Sequence, residues 1–208
     1  MMKEIFRRAR RKSRRQKAQE HQDPDLLFDG DDELFKEVVL GASRYAEYGC
    51  GKSTVWVAKN TSAEIRAVDT SAEWIANVER EISGRSAQFT HIDCGEIGNW
   101  GRPKTYAKRT SFGAYARSFF DEGFEPDVVL IDGRFRVCCF LTALARSPSG
   151  TVLLFDDYAR RPHYHLVEEF VPVKAKCGRQ FLFEAPSLNE TARAEILRTA
   201  EKFEYVID

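Results

Sequence analysis

The sequence has no long hydrophobic run. None of its apolar segments approaches the roughly 18 residues that a membrane-spanning helix needs, although the chain is 208 residues long. Its first residues, MMKEIFRRARRKSRRQK, also lack the apolar segment of a secretory signal peptide. These two absences argue against a membrane span and against export, so we expect a cytoplasmic protein.

Cysteine is infrequent, and its spacing does not indicate cross-linking. The five cysteines are odd in number and include no C-x-x-C pair: Cys50, Cys94, Cys138, Cys139 and Cys177. This spacing argues against a disulfide framework and against a zinc site, and it is typical of reduced thiols in a cytosolic protein. Cys138 and Cys139 lie in the apolar segment VCCFLTAL, so we expect both thiols to be buried.

Net charge is absent as well, but the neutral total conceals two opposite regions. Residues 1–17 hold nine Lys or Arg and one acid, a charge of +8, so the rest of the chain carries −8. The basic segment has no aromatic residue except Phe6, which gives little support for base stacking. Its composition is typical of a solvated extension, and an RNA-contacting arm is the alternative. We assign residues 1–32 to a basic extension and linker, and residues 33–208 to one domain.

The remaining sequence has an ordinary globular composition, with 43% hydrophobic and 31% charged residues. From residue 33 onward, short strand patterns alternate with helical patterns five times. Residues 127–132 (DVVLID) form an apolar run, as in a parallel strand with both faces covered. Residues 173–184 predict a closing hairpin. The pattern predicts an α/β protein with a doubly wound, mostly parallel sheet and a C-terminal antiparallel hairpin.

One glycine-rich segment has two interpretations. Residues 46–53 (AEYGCGKS) match a relaxed phosphate-binding loop that ends in Gly-Lys-Ser. Residues 47–51 (EYGCG) instead match the acidic, two-glycine turn with which methyltransferases bind their cofactor. The two interpretations predict different cofactors and different reactions.

The flanking residues favour the second interpretation. A phosphate-binding loop would need residues 39–45 (VLGASRY) as a buried strand, and a glycine, a serine and an arginine make a poor one. Ending the strand at Tyr48 places Glu47 at the carboxyl end, where open α/β sheets bind ligands. Asp69 ends the next predicted strand 18 residues after Gly51, close to the spacing at which an acid binds a ribose diol.

Over about residues 33–184 the chain resembles class I S-adenosylmethionine-dependent methyltransferases, and it is similar in particular to a group of small methyltransferase-like proteins. The motifs that carry the resemblance are EYGCGKST (47–54), VDTSAEW (68–74), HIDCGEIGNWGRP (91–103), VVLIDGRFRVCCFL (128–141) and FDDY (155–158). The resemblance implies a Rossmann-like methyltransferase fold, with S-adenosyl-L-methionine as the cofactor.

The resemblance also implies two groups of cofactor-binding residues. The first group would enclose the methionine end of the cofactor and comprises Glu47, Gly49, Cys50, Gly51 and Ser53. Glycine lets the backbone approach a ligand closely, and the Glu47 carboxylate would support the cationic amino group. The second group would bind the ribose and then the adenine edge, and comprises Asp69, Thr70, Asp93 and Cys94.

Other roles stay open for some of these positions. Asp69 could instead cap the helix that follows it, and Asp93 could be an ordinary surface acid. Trp74 shares a helix with Ile75 and Val78, so we expect it in the core. We expect the Lys52 side chain to face solvent.

Methyl transfer requires that the acceptor be aligned with the methyl group and, for an oxygen acceptor, that a proton be removed. The candidate catalytic groups follow the fourth and fifth strands, where Asp132 and Asp157 are expected to meet beside Asp156. Three carboxylates could bind Mg²⁺. Because Arg134 or Arg136 could neutralise them instead, a bound metal is possible but not favoured.

The sequence therefore predicts methyl transfer from S-adenosylmethionine to a small-molecule acceptor. Three alternatives accompany this hypothesis: an RNA methyltransferase that uses the arm of residues 1–17, a catalytically inactive S-adenosylmethionine-binding module, and a phosphate-loop nucleotide enzyme.

Overall fold

The computed structural model describes residues 26–28, 31–85 and 87–208. The predicted RNA-contacting arm, residues 1–17, lies outside the described residues. The helices and strands in chain order are α1 Glu33–Val39, β1 Arg44–Tyr48, α2 Lys52–Asn60, β2 Glu64–Asp69, α3 Ala72–Glu81, β3 Ala87–His91, α4 Phe112–Asp121, β4 Val128–Ile131, α5 Arg136–Arg146, β5 Val152–Phe155, β6 Ala175–Cys177, β7 Gln180–Glu184 and α6 Glu190–Lys202. Short 3₁₀ helices lie at Asn99–Gly101, Arg109–Ser111 and Pro162–Glu169.

The strands form one seven-stranded sheet in the order β3-β2-β1-β4-β5-β7-β6. The first five strands in this order are parallel, and the β6–β7 hairpin adds to β5 in the antiparallel direction. Every residue of β4 and β5 is buried, because helices cover both faces of the sheet there. The predicted doubly wound sheet with its terminal hairpin is confirmed.

Two apolar layers hold the helices against the sheet. The larger layer joins α4, α5 and α6 to one face and includes Tyr48, Phe119, Phe140 and Phe155. The smaller layer joins α1 and α2 to the opposite face. All five cysteines are free, and Cys138 and Cys139 are buried within the larger layer, as predicted. Across the described ranges, no helix has both the length and the apolar character to cross a bilayer.

Local hydrogen bonds explain where several helices begin. The Ser71 hydroxyl accepts a hydrogen bond from the Trp74 backbone N–H at 3.1 Å, and the Asn189 side chain accepts one from Ala192 at 2.9 Å.

The chain reverses its direction of winding between β1 and β4, which are neighbours in the sheet although β2 and β3 lie on the other side of β1. A crevice forms at the carboxyl ends of two such strands. Gly49 and Gly133 follow β1 and β4, and their backbones meet at this point. A Cβ atom added at Gly49 would lie 2.7 Å from the Gly133 Cα, and one added at Gly133 would lie 2.7 Å from the Tyr48 carbonyl carbon.

The glycine contact yields a stability prediction. Gly49→Ala should lower the free energy of unfolding by at least about 2 kcal/mol more than Gly123→Ala does, measured by urea denaturation. Both glycines have left-handed backbones, with φ of +85° and +73°, but a Cβ at Gly123 would meet no heavy atom within 4 Å. The control therefore carries the backbone strain without the steric clash. Equal losses in the two variants would contradict close packing at Gly49.

Candidate functional site

Asp69 connects the end of β2 to the glycine turn. Its Oδ2 accepts a hydrogen bond from the Cys50 backbone N–H at 3.1 Å, and its Oδ1 accepts one from the Ser71 N–H at 2.9 Å. The side chain therefore faces the turn and also caps the start of α3. Burial raises the pKa of Asp69 above its ordinary value.

Glu47 lies beneath the same turn and is 1% exposed. The hydroxyl of Ser53 donates to one of its carboxylate oxygens, and the hydroxyl of Thr54 donates to the other at 2.7 Å. The Thr54 oxygen also accepts a hydrogen bond from the Gly51 N–H at 2.9 Å, which fixes the turn to the start of α2. Burial raises the pKa of Glu47 from 4.5 to about 8.

The loop after β3 forms one wall of this region. The Thr70 hydroxyl donates to the Gly101 carbonyl oxygen at 2.7 Å, which brings the loop against the end of β2. Trp100 precedes Gly101 and is 90% exposed. Thr70, at the predicted ribose position, thus anchors the loop that carries the exposed Trp100 side chain.

Trp74 does not lie in the core, so that prediction is wrong. The side chain is 49% exposed, and its indole N–H donates to the Cys50 carbonyl oxygen at 2.6 Å. Ile75 and Val78 occupy the buried face of α3 instead. The Trp74 side chain consequently lies against the glycine turn.

The two residues predicted for the adenine edge have different environments. Asp93 is exposed; it forms an ion pair with Lys108 and accepts a hydrogen bond from the Gly95 N–H at 2.9 Å. The Lys108 ammonium lowers the pKa of Asp93, and the Gly95 N–H adds to this effect. Cys94 is fully buried, and burial raises the pKa of its thiol to about 11. The cofactor-binding roles of both residues stay predictions.

The acids after β4 and β5 meet as expected, but arginine side chains surround them. Arg136 is 4% exposed and approaches Asp132 Oδ1 at 3.0 Å and Asp157 Oδ2 at 3.5 Å. Its guanidinium also donates to three backbone carbonyl oxygens, those of Asp132, Gly133 and Asp156. Arg136 is therefore the central cation of this edge of the sheet.

Two further arginines complete the cluster. Arg179, from the β6–β7 turn, contacts both carboxylate oxygens of the buried Asp156, at 3.0 and 2.6 Å. Arg161 contacts Asp157 Oδ2 at 2.9 Å. Three arginines thus balance three carboxylates, and within the described ranges no group of His, Cys, Asp or Glu side chains is arranged to hold a metal ion. The catalytic roles of Asp132 and Asp157 stay predictions.

Backbone strain is concentrated at the same edge. Three non-glycine residues have left-handed backbones among those described: Trp100, Phe135 and Asp157. They follow β3, β4 and β5, respectively. Each such residue costs on the order of 1 kcal/mol or more, and strained residues of this kind cluster at functional sites.

The sequence did not indicate several of these residues. Arg179 reaches Asp156 only because β7 pairs with β5, and Gly133 meets Gly49 only because β4 pairs with β1. Thr54 was detectable in principle, since it lies three residues after Gly51 at the beginning of a helix, where a side-chain oxygen caps the backbone.

The sheet order and the acid-flanked glycine turn define a Rossmann-like methyltransferase fold. A methyltransferase-like protein from Silicibacter pomeroyi is 31% identical, with a TM-score of 0.73 over 86% of this chain and 98% of that one. The chain therefore belongs to the class I S-adenosylmethionine-dependent methyltransferase superfamily.

Two other solved structures are more distant. A putative O-methyltransferase from Klebsiella pneumoniae is 15% identical over 88% of this chain and 90% of that one, with a TM-score of 0.49. The N-methyltransferase NodS from Bradyrhizobium japonicum, in complex with S-adenosylhomocysteine, is 12% identical over 88% and 99%, with a TM-score of 0.48. Both similarities are too weak to bear on function. No protein-family model and no curated protein matches the sequence.

The raised pKa of Glu47 predicts a pH-dependent loss of stability. From pH 4.5 to about 8 the folded chain retains a proton on Glu47 that the unfolded chain has released, so the free energy of unfolding falls as pH rises. The slope from this group is at most about 1.4 kcal/mol per pH unit. Glu47→Gln should remove this pH-dependent component of the free energy of unfolding, measured by urea denaturation from about pH 5 to about pH 8. Asp156 contributes in the same direction in both proteins, so their difference isolates Glu47.

The arginine cluster predicts unequal effects for two substitutions. Arg136→Met should lower the free energy of unfolding by about 3 kcal/mol or more, because it leaves the Asp132 and Asp157 carboxylates and three backbone carbonyl oxygens without their buried cation. Arg161→Met should cost less than about 1 kcal/mol, because the Arg161 side chain is 40% exposed. Thermal or urea denaturation of both variants measures the contrast. Similar losses would show that Arg136 is not the central cation.

Proposed function

We propose that the chain binds S-adenosylmethionine in the turn of residues 49–51 and transfers its methyl group to a small-molecule acceptor. The observation that carries the proposal is the pair of carboxylates, Glu47 and Asp69, on either side of this turn. Burial raises the pKa values of both acids, and for Asp69 it outweighs the opposing effect of the Arg134 guanidinium. Two buried acidic groups beside the turn suit a ligand with a cationic sulfonium and ammonium, which would favour their ionised forms.

The roles of the turn follow from its contacts. Gly49 permits the close approach of the β1 and β4 ends, and a Cβ added at Gly51 would make an ordinary van der Waals contact with Trp74 Nε1 at 3.8 Å. Glu47 would support the ammonium group, and a bound cation would favour its ionised form. Asp69, held by backbone N–H groups, would accept hydrogen bonds from the ribose hydroxyls. Ser53 would act indirectly, by orienting Glu47.

At the reacting end, the cofactor supplies an electrophilic methyl group, and this chain must align the acceptor and receive its proton. Asp132 and Asp157 are the proposed bases, because they are the partly exposed members of the acid cluster, at 29% and 26%. Arg136 contacts both and would hold them in position. Asp156 is fully buried and is not a candidate.

The alternatives differ in their support. The phosphate-loop interpretation needs a loop that begins at Ala46, yet Ala46 is a buried residue inside β1. An inactive binding module would keep the pocket without turnover. An RNA methyltransferase would depend on residues 1–17, which lie outside the described residues. Small-molecule methyl transfer therefore remains the leading proposal.

Ligand binding tests the cofactor. S-adenosylhomocysteine at 100 times its dissociation constant should stabilise the chain by about 2.7 kcal/mol in thermal unfolding, and ATP with Mg²⁺ should not. Asp69→Asn should weaken S-adenosylhomocysteine binding at least about tenfold by calorimetry, because the ribose loses a charged acceptor. Asp121→Asn removes an exposed acid that pairs with Arg146 on α5 and should leave the affinity unchanged. Stabilisation by ATP with Mg²⁺ alone would overturn the proposal.

A further inference from the structure

The loop between β3 and α4 carries a charge opposite to that of the domain around it. Residues 95–111 hold four Lys or Arg and one acid, a charge of +3, whereas residues 26–208 hold 23 Lys or Arg and 28 Asp or Glu, a charge of −5. All four cations of the loop are exposed: Arg102, Lys104, Lys108 and Arg109. Both lysines form ion pairs with acids, and every member of these two pairs is more than half exposed. Because such pairs stabilise a protein little, the lysines can exchange them for a phosphate group.

Two aromatic side chains extend from the same loop. Trp100 is 90% exposed, and Tyr106 is 51% exposed. The Tyr106 ring centroid lies 6.2 Å from that of Phe112 at the start of α4, and this contact anchors the tyrosine to the domain. Exposed aromatic rings beside cations are features that bind single-stranded nucleic acid, since bases stack on the rings and phosphates contact the cations.

Backbone contacts hold the tip of the loop in a defined shape. The Gly98 N–H donates to the Arg102 carbonyl oxygen at 2.7 Å, and an antiparallel bridge joins Ile97 to Pro103. Trp100 therefore lies at the end of a short hairpin. A surface that is already formed loses little conformational entropy when it binds a partner.

The backbone of Trp100 has a conformation that favours glycine. Its φ of 61° and ψ of 28° lie in the left-handed region, where a side chain adds strain. The indole is exposed, so it gains almost no burial that would offset this strain. The packing of the fold thus gives no reason for a tryptophan at this position. Strained residues of this kind cluster at binding sites.

We propose that residues 95–111 form a binding surface for single-stranded nucleic acid. Bases stack on Trp100 and Tyr106, and phosphates contact the four cations of the loop. An acidic peptide matches the charge but leaves both rings without a planar partner, so it fits this surface less well. The inference goes beyond the proposed function, because it concerns a partner and requires neither methyl transfer nor residues 1–17.

The aromatic contribution is tested with a fluorescein-labelled oligouridylate of about 12 nucleotides, whose binding to the full chain is measured by fluorescence anisotropy. Trp100→Ala should weaken binding at least about fivefold, because one stacked base is lost. Trp100→Phe keeps a ring and should bind within about twofold of the unsubstituted chain. Residues 1–17 are identical in every variant, so their contribution cancels in these ratios. An oligothymidylate of the same length shows whether RNA or DNA is preferred, since both offer bases and phosphates.

The cationic contribution is tested by the salt dependence of the same binding. Each phosphate contact on a single strand contributes about 0.7 to the slope of log K against log salt concentration. The double variant Lys108→Gln, Arg109→Gln should therefore reduce the magnitude of the slope by about 1.4. The double variant Lys59→Gln, Arg198→Gln makes the same charge change at exposed positions on α2 and α6, and it should leave the slope unchanged.

Three results would each overturn the inference. They are equal oligonucleotide affinities of the unsubstituted chain and Trp100→Ala, equal salt slopes of the two double variants, and displacement of the oligonucleotide by oligoglutamate as effectively as by unlabelled oligouridylate. We expect Trp100→Ala to bind S-adenosylhomocysteine with unchanged affinity. A parallel loss of that affinity would place the indole in the cofactor site and would also overturn the inference. Thermal unfolding of each variant verifies that it is folded.

Discussion

The close contact of two backbone turns determines the geometry of the site. Strands β1 and β4 are neighbours, and the glycines after them, Gly49 and Gly133, leave no room for a side chain between the turns. The residues after each strand are consequently brought to one place. On the β1 side these are the turn and its buried acid; on the β4 side they are Asp132 and the arginines that follow. Without this contact, the two halves of the crevice would be held apart.

Electrostatics divides the crevice into two regions. Around the glycine turn, burial raises the pKa values of Glu47 and Asp69, and for Asp69 it outweighs the opposing effect of Arg134. After β4 and β5, the carboxylates are instead matched by guanidinium groups. The first region is therefore prepared for an incoming positive charge, whereas the second is already neutral. This difference is consistent with a cofactor that carries charge and an acceptor that must be positioned.

Local patterns predicted the sheet well, and they predicted the site only in part. Strands β4 and β5 were evident as continuous apolar runs, because a strand that is buried on both faces has apolar residues at successive positions. The hairpin was evident from its two short strand patterns around a turn that contains glycine. Trp74 was misassigned because helical periodicity considers only the apolar character of its side chain. It does not reveal the hydrogen bond that the indole N–H donates to the Cys50 carbonyl oxygen. The partners of Asp93 and Asp156, namely Lys108 and Arg179, lie 15 and 23 residues away. Such pairings depend on strand order and loop folding, which the sequence does not display locally.

The arginine cluster also constrains how this protein can change. Asp132 and Asp157 share Arg136, while Asp156 and Asp157 share Arg179. Loss of any one of these five residues leaves an unmatched charge, so tolerated replacements at these positions should occur in coordinated sets. Among natural relatives, the five positions are then expected to change together, although they come from three separate stretches of the chain: Asp132 and Arg136, Asp156 and Asp157, and Arg179.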